Sequence, residues 1–197
     1  MASSAPRGRR PGSPDTRSAI LAAARAAFAA KGFAGASVRG IAADAGVDAS
    51  LVHHYFGTKD DLFLAALELP VDPREVLGPA LSAGVDGAGE RMLRVFLSVW
   101  DDPELRLPLL GVVRGIVDSD GHRLMREGFL PVVLEPVGLA LGIDRPDVRM
   151  PLVASQVFGL IVMRYVMQVE PIASMPADDV VAIYAPTLQR YLSGPLP

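Results

Sequence analysis

The stretch that decides the fold is residues 36–63, which read ASVRGIAADAGVDASLVHHYFGTKDDLF. The pattern predicts two short helices joined by a tight turn, followed at once by the start of a third helix. Ser37 suits the N-cap of the first helix. The apolar residues of that helix recur at helical spacing: Val38, Ile41, Ala42 and Ala45. Gly46 supplies the backbone freedom that a sharp turn needs, and Val47 can fill the angle between the two helices.

The second helix of this stretch is predicted to begin after Asp48, which serves as its cap. Three of its residues are expected to turn mostly inward: Leu51, Val52 and Tyr55. Three others are expected to face outward: Ser50, His53 and His54. The arrangement is a helix-turn-helix, in which the second helix is the one that enters a DNA major groove.

The same stretch resembles the DNA-binding segment of the TetR family of transcriptional regulators. The matching elements are SVRGIA at 37–42, AGV at 45–47, HHYF at 53–56, and Lys59 at the start of the next helix. The resemblance covers about residues 15–68, and beyond them it extends only to length and helical pattern. The chain departs from the usual family pattern at Gly40 and at Asp48, where serine is more frequent. Asp48 brings a negative charge towards DNA, which would reduce non-specific affinity.

The resemblance implies an all-α fold with an N-terminal helix-turn-helix domain and a C-terminal helical domain for ligand binding and dimerisation. We therefore predict a disordered basic arm at 1–14, a DNA-binding domain at 15–57, and an effector-binding and dimerisation domain at 58–197. The implied function is that of a repressor, released from a palindromic operator by a small-molecule effector. Whether such a protein represses or activates depends on where its operator lies, which the chain does not encode.

By resemblance, base edges are expected to meet the start of the recognition helix at Ala49, Ser50 and Leu51. Phosphates are expected to meet residues on both helices and on the next one: Ser37, Arg39, His54, Tyr55 and Lys59. His53 is included in the predicted DNA-binding set because it faces outward. Ser37 can be a cap as well as a contact, and Leu51 can equally belong to the core. The histidine pair does not predict a metal site, because adjacent helical residues point about 100° apart.

Charge is divided unevenly along the chain, although its net value is only -3. Residues 1–59 contain eight Lys/Arg and three acids, whereas residues 60–197 contain 11 Lys/Arg and 19 acids. A basic head on an acidic body fits a protein that presents one end to phosphate. Arg7, Arg9 and Arg10 either reach a minor groove or the DNA backbone, or belong to a solvated tail.

The remaining segments are all predicted to be helical, with proline and glycine between them. The first helix is expected at 16–31, ending at Gly32, and the fourth runs from Thr58 to about Leu69. Later helices are placed at 73–83, 88–101, 104–118, 121–142, 146–170 and 177–193. Pro108, Pro131 and Pro136 either kink these helices or mark shorter ones.

The last two helices are the predicted dimer interface, because together they form more apolar surface than one monomer should expose. The interface set is Val157, Ile161, Val180, Tyr184, Leu188 and Tyr191. An apolar or aromatic effector is expected in the body, since it offers few polar groups. The pocket set is Met92, Phe96, Trp100, Leu109, Val113, Met125, Phe129, Phe158, Val162 and Tyr165. Arg114, His122 or Arg164 could anchor the ligand or form salt bridges.

Other functional classes fit the sequence poorly. The chain has no cysteine, which excludes disulfides, thiolate metal sites and cysteine nucleophiles. The apolar stretch 152–169 carries Gln156, Arg164 and Gln168 on one face, so a membrane span is not expected. An enzyme would need converging acid, base or nucleophile groups, and no such motif or phosphate-binding loop is present. We expect a cytoplasmic protein without cofactor or metal. The other alternative is an architectural DNA binder or a protein-interaction dimer that takes no ligand.

Overall fold

The computed structural model describes residues 14–117 and 125–196, and all regular structure within them is helical. This confirms the all-α prediction. The chain divides into two compact units, of which the first ends at Glu68 and the second begins at Leu69. Each unit has its own buried apolar residues. No helix in the described ranges is both long enough and apolar enough to cross a membrane.

The first unit is built from four helices. They are α1 (Pro14–Gly35), α2 (Val38–Asp44), α3 (Ala49–Phe56) and α4 (Lys59–Ala66). Gly32 leaves helical geometry, with φ 69° and ψ 174°, so the regular part of α1 is interrupted where the sequence predicted its end. The helix α4 packs against α1 and therefore lies in the first unit, whereas the sequence-based boundary was drawn before it.

Aromatic rings form the centre of the first unit. Phe28 on α1 and Phe63 on α4 are almost completely buried, and their ring centroids lie 5.2 Å apart. Phe33, which follows the break at Gly32, stacks on Phe28 at 5.9 Å and meets Phe63 edge-on at 5.3 Å. Such pairs contribute roughly 0.5–1.5 kcal/mol each beyond the burial of their area. Phe33 therefore anchors the connection between α1 and α2.

The second unit contains the remaining helices. They are α5 (Pro73–Leu81), α6 (Ala88–Trp100), α7 (Pro103–Val117), a π-helical segment (Met125–Leu134), α8 (Glu135–Ala140), α9 (Pro146–Ile161), a second π-helical segment (Val162–Val166) and α10 (Ala177–Ser193). The helix predicted at 146–170 is thus shorter, because its last turn is π-helical and ends at Val166. Residues 121–124 of the helix predicted at 121–142 lie outside the described residues.

The prolines act differently from one another. The helix α7 continues through Pro108, so this proline does not divide the segment into shorter helices. Pro131 lies within the π-helical segment, where the chain departs from α-helical geometry. A proline disfavours a regular α-helix at such a position because it lacks the N–H and its ring meets the preceding turn. Pro136 lies in the first turn of α8, where a missing N–H costs nothing.

The helices α6 and α10 approach each other closely at Gly89. A Cβ atom at Gly89 would lie 2.7 Å from the backbone nitrogen of Gln189 and 2.8 Å from the carbonyl oxygen of Ala185. Any side chain there would therefore collide with backbone. The Gly89 N–H donates to the Gln189 side-chain oxygen at 3.1 Å. The buried face of α10 packs against this side of α6 and completes the core.

A buried arginine that the sequence did not reveal ties α9 to the end of α10. The Arg149 side chain is only 6% exposed and donates to Asp144 at 2.9 Å. It also donates to the carbonyl oxygens of Tyr191 and Gly194, which lie at the C-terminus of α10. A cation that binds terminal carbonyls stabilises a helix end. The hydrogen bond from Arg149 holds the pKa of Asp144 below its ordinary value.

Candidate nucleic-acid interface

The turn between α2 and α3 has the hydrogen bonds of a Schellman motif. The Gly46 N–H donates to the Ala43 carbonyl at 3.1 Å, and the Val47 N–H donates to the Ala42 carbonyl at 2.9 Å. Gly46 has φ 68°, a left-handed conformation that glycine adopts without strain. The sequence prediction of a glycine turn is confirmed, and this turn fixes the direction in which α3 leaves α2.

The recognition helix α3 begins at a side-chain cap. The Asp48 carboxylate accepts a hydrogen bond from the Ser50 backbone N–H at 2.8 Å. The Ser50 hydroxyl and then its N–H hold the pKa of Asp48 below the ordinary value, so this exposed carboxylate is ionised at neutral pH. A negative charge at a helix N-terminus is stabilising. The cap predicted from the sequence is confirmed.

The side chains of α3 divide into a buried and an outward set. Val52 and Phe56 are 2% and 9% exposed and form the inward face. Ser50 is exposed, as are both histidines, and Ala49 is half-buried. Leu51 is also half-buried, so the structure places it between the core and the surface. The outward face of α3 therefore carries small and polar groups at its start and imidazoles at its end.

The two histidines of α3 are held in different ways. The Nδ1 atom of His53 lies 2.9 Å from the carbonyl oxygen of Gly57, which ends the helix with φ 79°. A neutral His53 must therefore carry its proton on Nδ1, which leaves Nε2 as an acceptor. The His54 ring packs edge-on against Tyr55, with centroids 5.6 Å apart. The sequence identified both residues as outward but could not show that their rings are separately fixed.

The start of α4 places a lysine beside α3. Thr58 forms a capping box with Asp61: its hydroxyl lies 2.6 Å from the carboxylate, and it accepts from the Asp61 N–H at 3.1 Å. Lys59 is the first residue of the helix, and its ammonium lies 4.4 Å from the centroid of the Phe33 ring. This cation–π contact limits where the ammonium can go. Lys59 nevertheless keeps part of its surface exposed.

Ser37 and Arg39 lie at the start of α2. The Ser37 hydroxyl accepts from the Gly40 N–H at 3.1 Å, which confirms its capping role, and the residue is exposed. Arg39 is exposed, and no ion pair holds it within residues 14–117 or 125–196. Two other cations of the first unit are engaged: Arg25 pairs with Glu68 at 2.6 Å, and Arg17 lies 5.1 Å over the Phe56 ring.

The basic excess of the head depends on the N-terminal arm. Residues 14–68 contain five Lys/Arg and six Asp/Glu. The arginines that make the head positive overall, Arg7, Arg9 and Arg10, lie outside the described residues, as does almost all of the predicted arm. The helix-turn-helix therefore presents few cations of its own, and Arg39 and Lys59 are two of them.

Tyr55 does not fit its predicted role. Its hydroxyl oxygen is buried and has no hydrogen-bond partner within the part of the chain that the structure describes. A buried oxygen cannot reach a phosphate, so the predicted phosphate contact is corrected. The sequence pattern gave the inward direction of the ring correctly but could not show that the hydroxyl is buried with it.

The residues predicted to line an effector pocket do not converge on a described cavity. Five of them are at most 8% exposed and belong to the core: Met92, Trp100, Leu109, Val113 and Tyr165. Phe96 and Phe158 pack against the same core, and the others, Met125, Phe129 and Val162, are half-buried. Two cavities are described in the second unit, and none of the ten residues lines either of them. The five buried residues are therefore packing residues of the core, and a role for the other five in a pocket stays a prediction.

Of the three candidate polar anchors, Arg164 takes the alternative role of an ion pair. Arg164 is 9% exposed and donates to the carbonyl oxygens of Ile172 and Met175, each at 2.7 Å. It also faces Asp101, which accepts a hydrogen bond from the Tyr165 hydroxyl at 3.0 Å. These contacts hold the chain that follows the second π-helical segment. Arg114 is exposed, and His122 lies outside the described residues.

Three of the six residues of the predicted dimer interface are buried within the chain itself, and only their assignment is corrected. Val180, Leu188 and Ile161 are 0%, 2% and 9% exposed within a single chain. The other three residues, Val157, Tyr184 and Tyr191, are partly buried against the same core. The apolar face of α10 is therefore covered by its own chain, chiefly by α6.

Comparison with known proteins agrees with this architecture. The model of the bacterial regulatory proteins of the tetR family matches residues 20–66, which span most of α1 and all of α2, α3 and α4. A second model, the tetracyclin repressor-like C-terminal domain, matches residues 86–192, more than half of the chain. The chain belongs to the TetR family. It is a DNA-binding transcriptional regulator, which confirms the resemblance that the helix-turn-helix residues indicated.

Individual relatives within the TetR family differ in how much they share. The HTH-type transcriptional repressor SCO4008 of Streptomyces coelicolor is 39% identical over 72 residues, which cover 32% of this chain and 38% of that protein. The chain thus matches well under half of that repressor. A crystallised TetR-family regulator (SCO0857) of Streptomyces coelicolor is 43% identical over 94% of this chain and 98% of its own, with a TM-score of 0.49. The multidrug binding protein EbrR, complexed with imidazole, is 21% identical over 98% of both chains, with a TM-score of 0.47.

The buried hydroxyl of Tyr55 leads to a prediction opposite to that for a phosphate contact. Tyr55→Phe should leave DNA affinity within about twofold, and the free energy of unfolding should stay equal or rise by up to about 1–3 kcal/mol, the usual penalty of an unpaired buried group. Urea unfolding and a DNA-binding titration measure the two quantities. Tyr165→Phe is the matched control: it removes a hydroxyl that does have a partner, and should lower stability. A clear loss of DNA affinity in Tyr55→Phe would show that this hydroxyl does contact DNA.

Proposed function

We propose that this protein is a repressor that binds a palindromic operator as a homodimer and leaves it when a small apolar or aromatic molecule binds the second unit. The observation that carries the proposal is the outward face of α3. Ser50, His53 and His54 are exposed on a helix that is fixed at both ends, in a chain of the TetR family. Exposed polar groups on the second helix of a helix-turn-helix are what reading a major groove requires.

The roles proposed for individual residues follow their position on this surface. Ala49, Ser50 and Leu51 form the first turn of α3 and are assigned to base edges: a serine hydroxyl pairs with several bases, and the apolar groups suit thymine methyls. Phosphate contacts are assigned to exposed groups around α3, namely Ser37, Arg39, His54 and Lys59. The Nε2 atom of His53 is free of the contact that holds Nδ1, so it is available to DNA.

The few cations of the folded head make the N-terminal arm part of the proposal. Residues 14–68 have one acid more than they have Lys/Arg. Non-specific DNA affinity comes mainly from cations that displace counterions from phosphates. We therefore assign to Arg7, Arg9 and Arg10 a neutralisation of backbone charge that adds to the contribution of Arg39 and Lys59.

A homodimer is proposed because a two-fold operator matches a two-fold protein. Because the apolar face of α10 is covered, we propose a different face for the interface. It is an outward row on α9 and its π-helical extension: Leu152, Ser155, Gly159, Met163 and Val166. These residues are exposed or half-buried, and Val166 is 40% exposed. A Cβ atom at Gly159 would meet nothing within 4 Å, so the chain's own atoms leave this position open. Small residues at its centre let a second helix approach closely.

The effector site is proposed at a cavity of about 220 Å³ between the first π-helical segment and α9. Its apolar walls are Leu130, Pro131, Leu134, Met150 and Pro151. Arg126, Glu135 and Asp147 supply its polar groups. The volume is below that of typical drug-sized sites, which favours a small ligand. Departures from α-helix to π-helix are frequent at functional sites, which supports the choice.

The DNA-binding proposal is tested by selecting bound sequences from random duplex DNA and then comparing the chain's two lysines. A palindromic motif is expected, with half-sites about one helical turn or slightly more apart. Lys59→Ala should weaken binding to operator and to unrelated DNA by a similar factor, because phosphate contacts carry no sequence information, and should reduce the salt slope by about one. Lys31→Ala removes the same charge from an exposed site on α1 and should change neither affinity. Unchanged affinity of Lys59→Ala at physiological salt would remove Lys59 from the interface.

The interface proposal is tested with two exposed helical glycines. Gly159→Arg should convert dimers to monomers in sedimentation velocity, because a long charged side chain at the centre of the α9 row blocks a partner helix. Gly111→Arg, on α7, is the control: both positions are open in a single chain, so both variants should fold. If Gly159→Arg sediments as a dimer, the partner does not bind this face of α9.

The effector proposal is tested by filling the cavity. A library of apolar and aromatic molecules is screened for compounds that raise the melting temperature and release wild-type protein from its operator. Leu130→Trp should still bind the operator but should no longer respond to those compounds, because the indole occupies their space. Leu107→Trp, at a position 75% exposed on α7, should respond as wild type does. Normal release of Leu130→Trp would place the ligand elsewhere, and no active compound would favour a regulator without an effector.

A further inference from the structure

The N-terminal turn of α3 presents hydrogen-bond acceptors where a reading helix commonly carries donors. Asp48 is ionised and exposed, and one of its oxygens accepts from the Ser50 N–H at 2.8 Å. That bond uses the backbone donor nearest to the carboxylate. It also fixes the orientation of the carboxylate, because the cap bond holds the side chain against the helix end.

Ser50 adds to the same acceptor surface. Its hydroxyl also interacts with the Asp48 carboxylate and contributes to the low pKa of that group. Both side chains are exposed. Together they offer a ligand the remaining lone pairs of the carboxylate and those of the hydroxyl oxygen.

The position of this pair makes its chemistry selective. A carboxylate brought close to DNA loses water and is repelled by phosphates, so it costs affinity unless a hydrogen-bond donor meets it. In the major groove the donors are the amino groups of cytosine N4 and adenine N6. Guanine O6 and N7 and thymine O4 are acceptors, so each would place its lone pairs against those of the Asp48 carboxylate. Cytosine and adenine can thus offset the cost of bringing the carboxylate close to DNA, whereas guanine and thymine cannot.

We propose that Asp48, acting with Ser50, makes this protein require an amino-bearing base, cytosine or adenine, at one position of each operator half-site. Guanine and thymine are rejected at that position because they set acceptors against the carboxylate and place the amino group of the base pair on the other strand. The inference rests on the proposed function, since it assumes that α3 lies in the major groove. It goes further by assigning sequence selection to an acidic residue that would otherwise only weaken binding.

The first experiment repeats the sequence selection with wild type, Asp48→Asn and Asp44→Asn. Asparagine caps helices as well as aspartate does, so Asp48→Asn keeps the cap, and its amide adds a donor. The variant should lose the preference for cytosine or adenine at one position of each half-site and keep the rest of the motif. Asp44→Asn removes the same charge from an exposed residue at the end of α2 and should keep the wild-type motif unchanged.

The second experiment removes the amino group itself. Operator duplexes carry 2-pyrimidinone in place of the selected cytosine, or purine in place of the selected adenine, on both half-sites. Wild-type affinity should fall about fivefold to a hundredfold per base, the usual range for a specific base contact, whereas Asp48→Asn should lose much less. Melting curves of the free duplexes correct for any loss of base pairing.

The outcomes separate the inference from the proposed function. If wild type enriches no motif, the proposed function fails and the inference fails with it. If wild type enriches a palindrome that is identical in Asp48→Asn, DNA reading stands and the inference is overturned. A change of motif that Asp44→Asn reproduces would also overturn it, because net charge would then be the cause.

Discussion

The packing of Phe28, Phe33 and Phe63 is the contact on which the arrangement of the DNA-binding unit depends. It joins α1 to α4 and fixes the short connection into α2, because Phe33 follows directly after the break at Gly32. The same ring of Phe33 holds the Lys59 ammonium at 4.4 Å. One aromatic cluster therefore sets both the frame that carries α3 and the place of a cation beside it. A change in this cluster would move the reading surface as well as lower stability.

The sequence predicts this unit well because its decisive interactions are local. Ser37, Asp48 and Thr58 each cap a helix with partners two or three residues away. The turn after α2 is closed by bonds from Gly46 and Val47 to partners three and five residues away, respectively. Such patterns can be read along the chain without knowledge of the fold. The burial of the Tyr55 hydroxyl depends instead on how helices distant in sequence meet. Residue type and periodicity indicated that the Tyr55 ring faces inward, but they could not show that its hydroxyl oxygen is buried.

The second unit shows the opposite case. Periodicity correctly identified an apolar face on α10, but it cannot tell whether a partner or the same chain covers that face. Gly89 decides the matter: its missing side chain lets α6 approach α10 closely enough to bury Val180 and Leu188 within one chain. Five of the predicted pocket residues belong to the core for a related reason. Large apolar residues line cavities and also fill cores, so the sequence cannot distinguish the two roles. Only the packing of the folded chain does so. Arg149 and Arg164 are charged residues in the interior, which composition alone does not predict.

The charge of the folded head then has a consequence for how recognition can work. Across residues 14–68 acids slightly outnumber Lys/Arg, and Arg25 pairs with Glu68 while Arg17 lies over Phe56. Attraction to phosphate from the helices is therefore weak, and an ionised Asp48 weakens it further. A protein with little general affinity spends less time on the many unrelated sites of a genome. Its occupancy of an operator must then come from contacts that only the right bases complete, which is the property that an acceptor surface at the start of α3 provides.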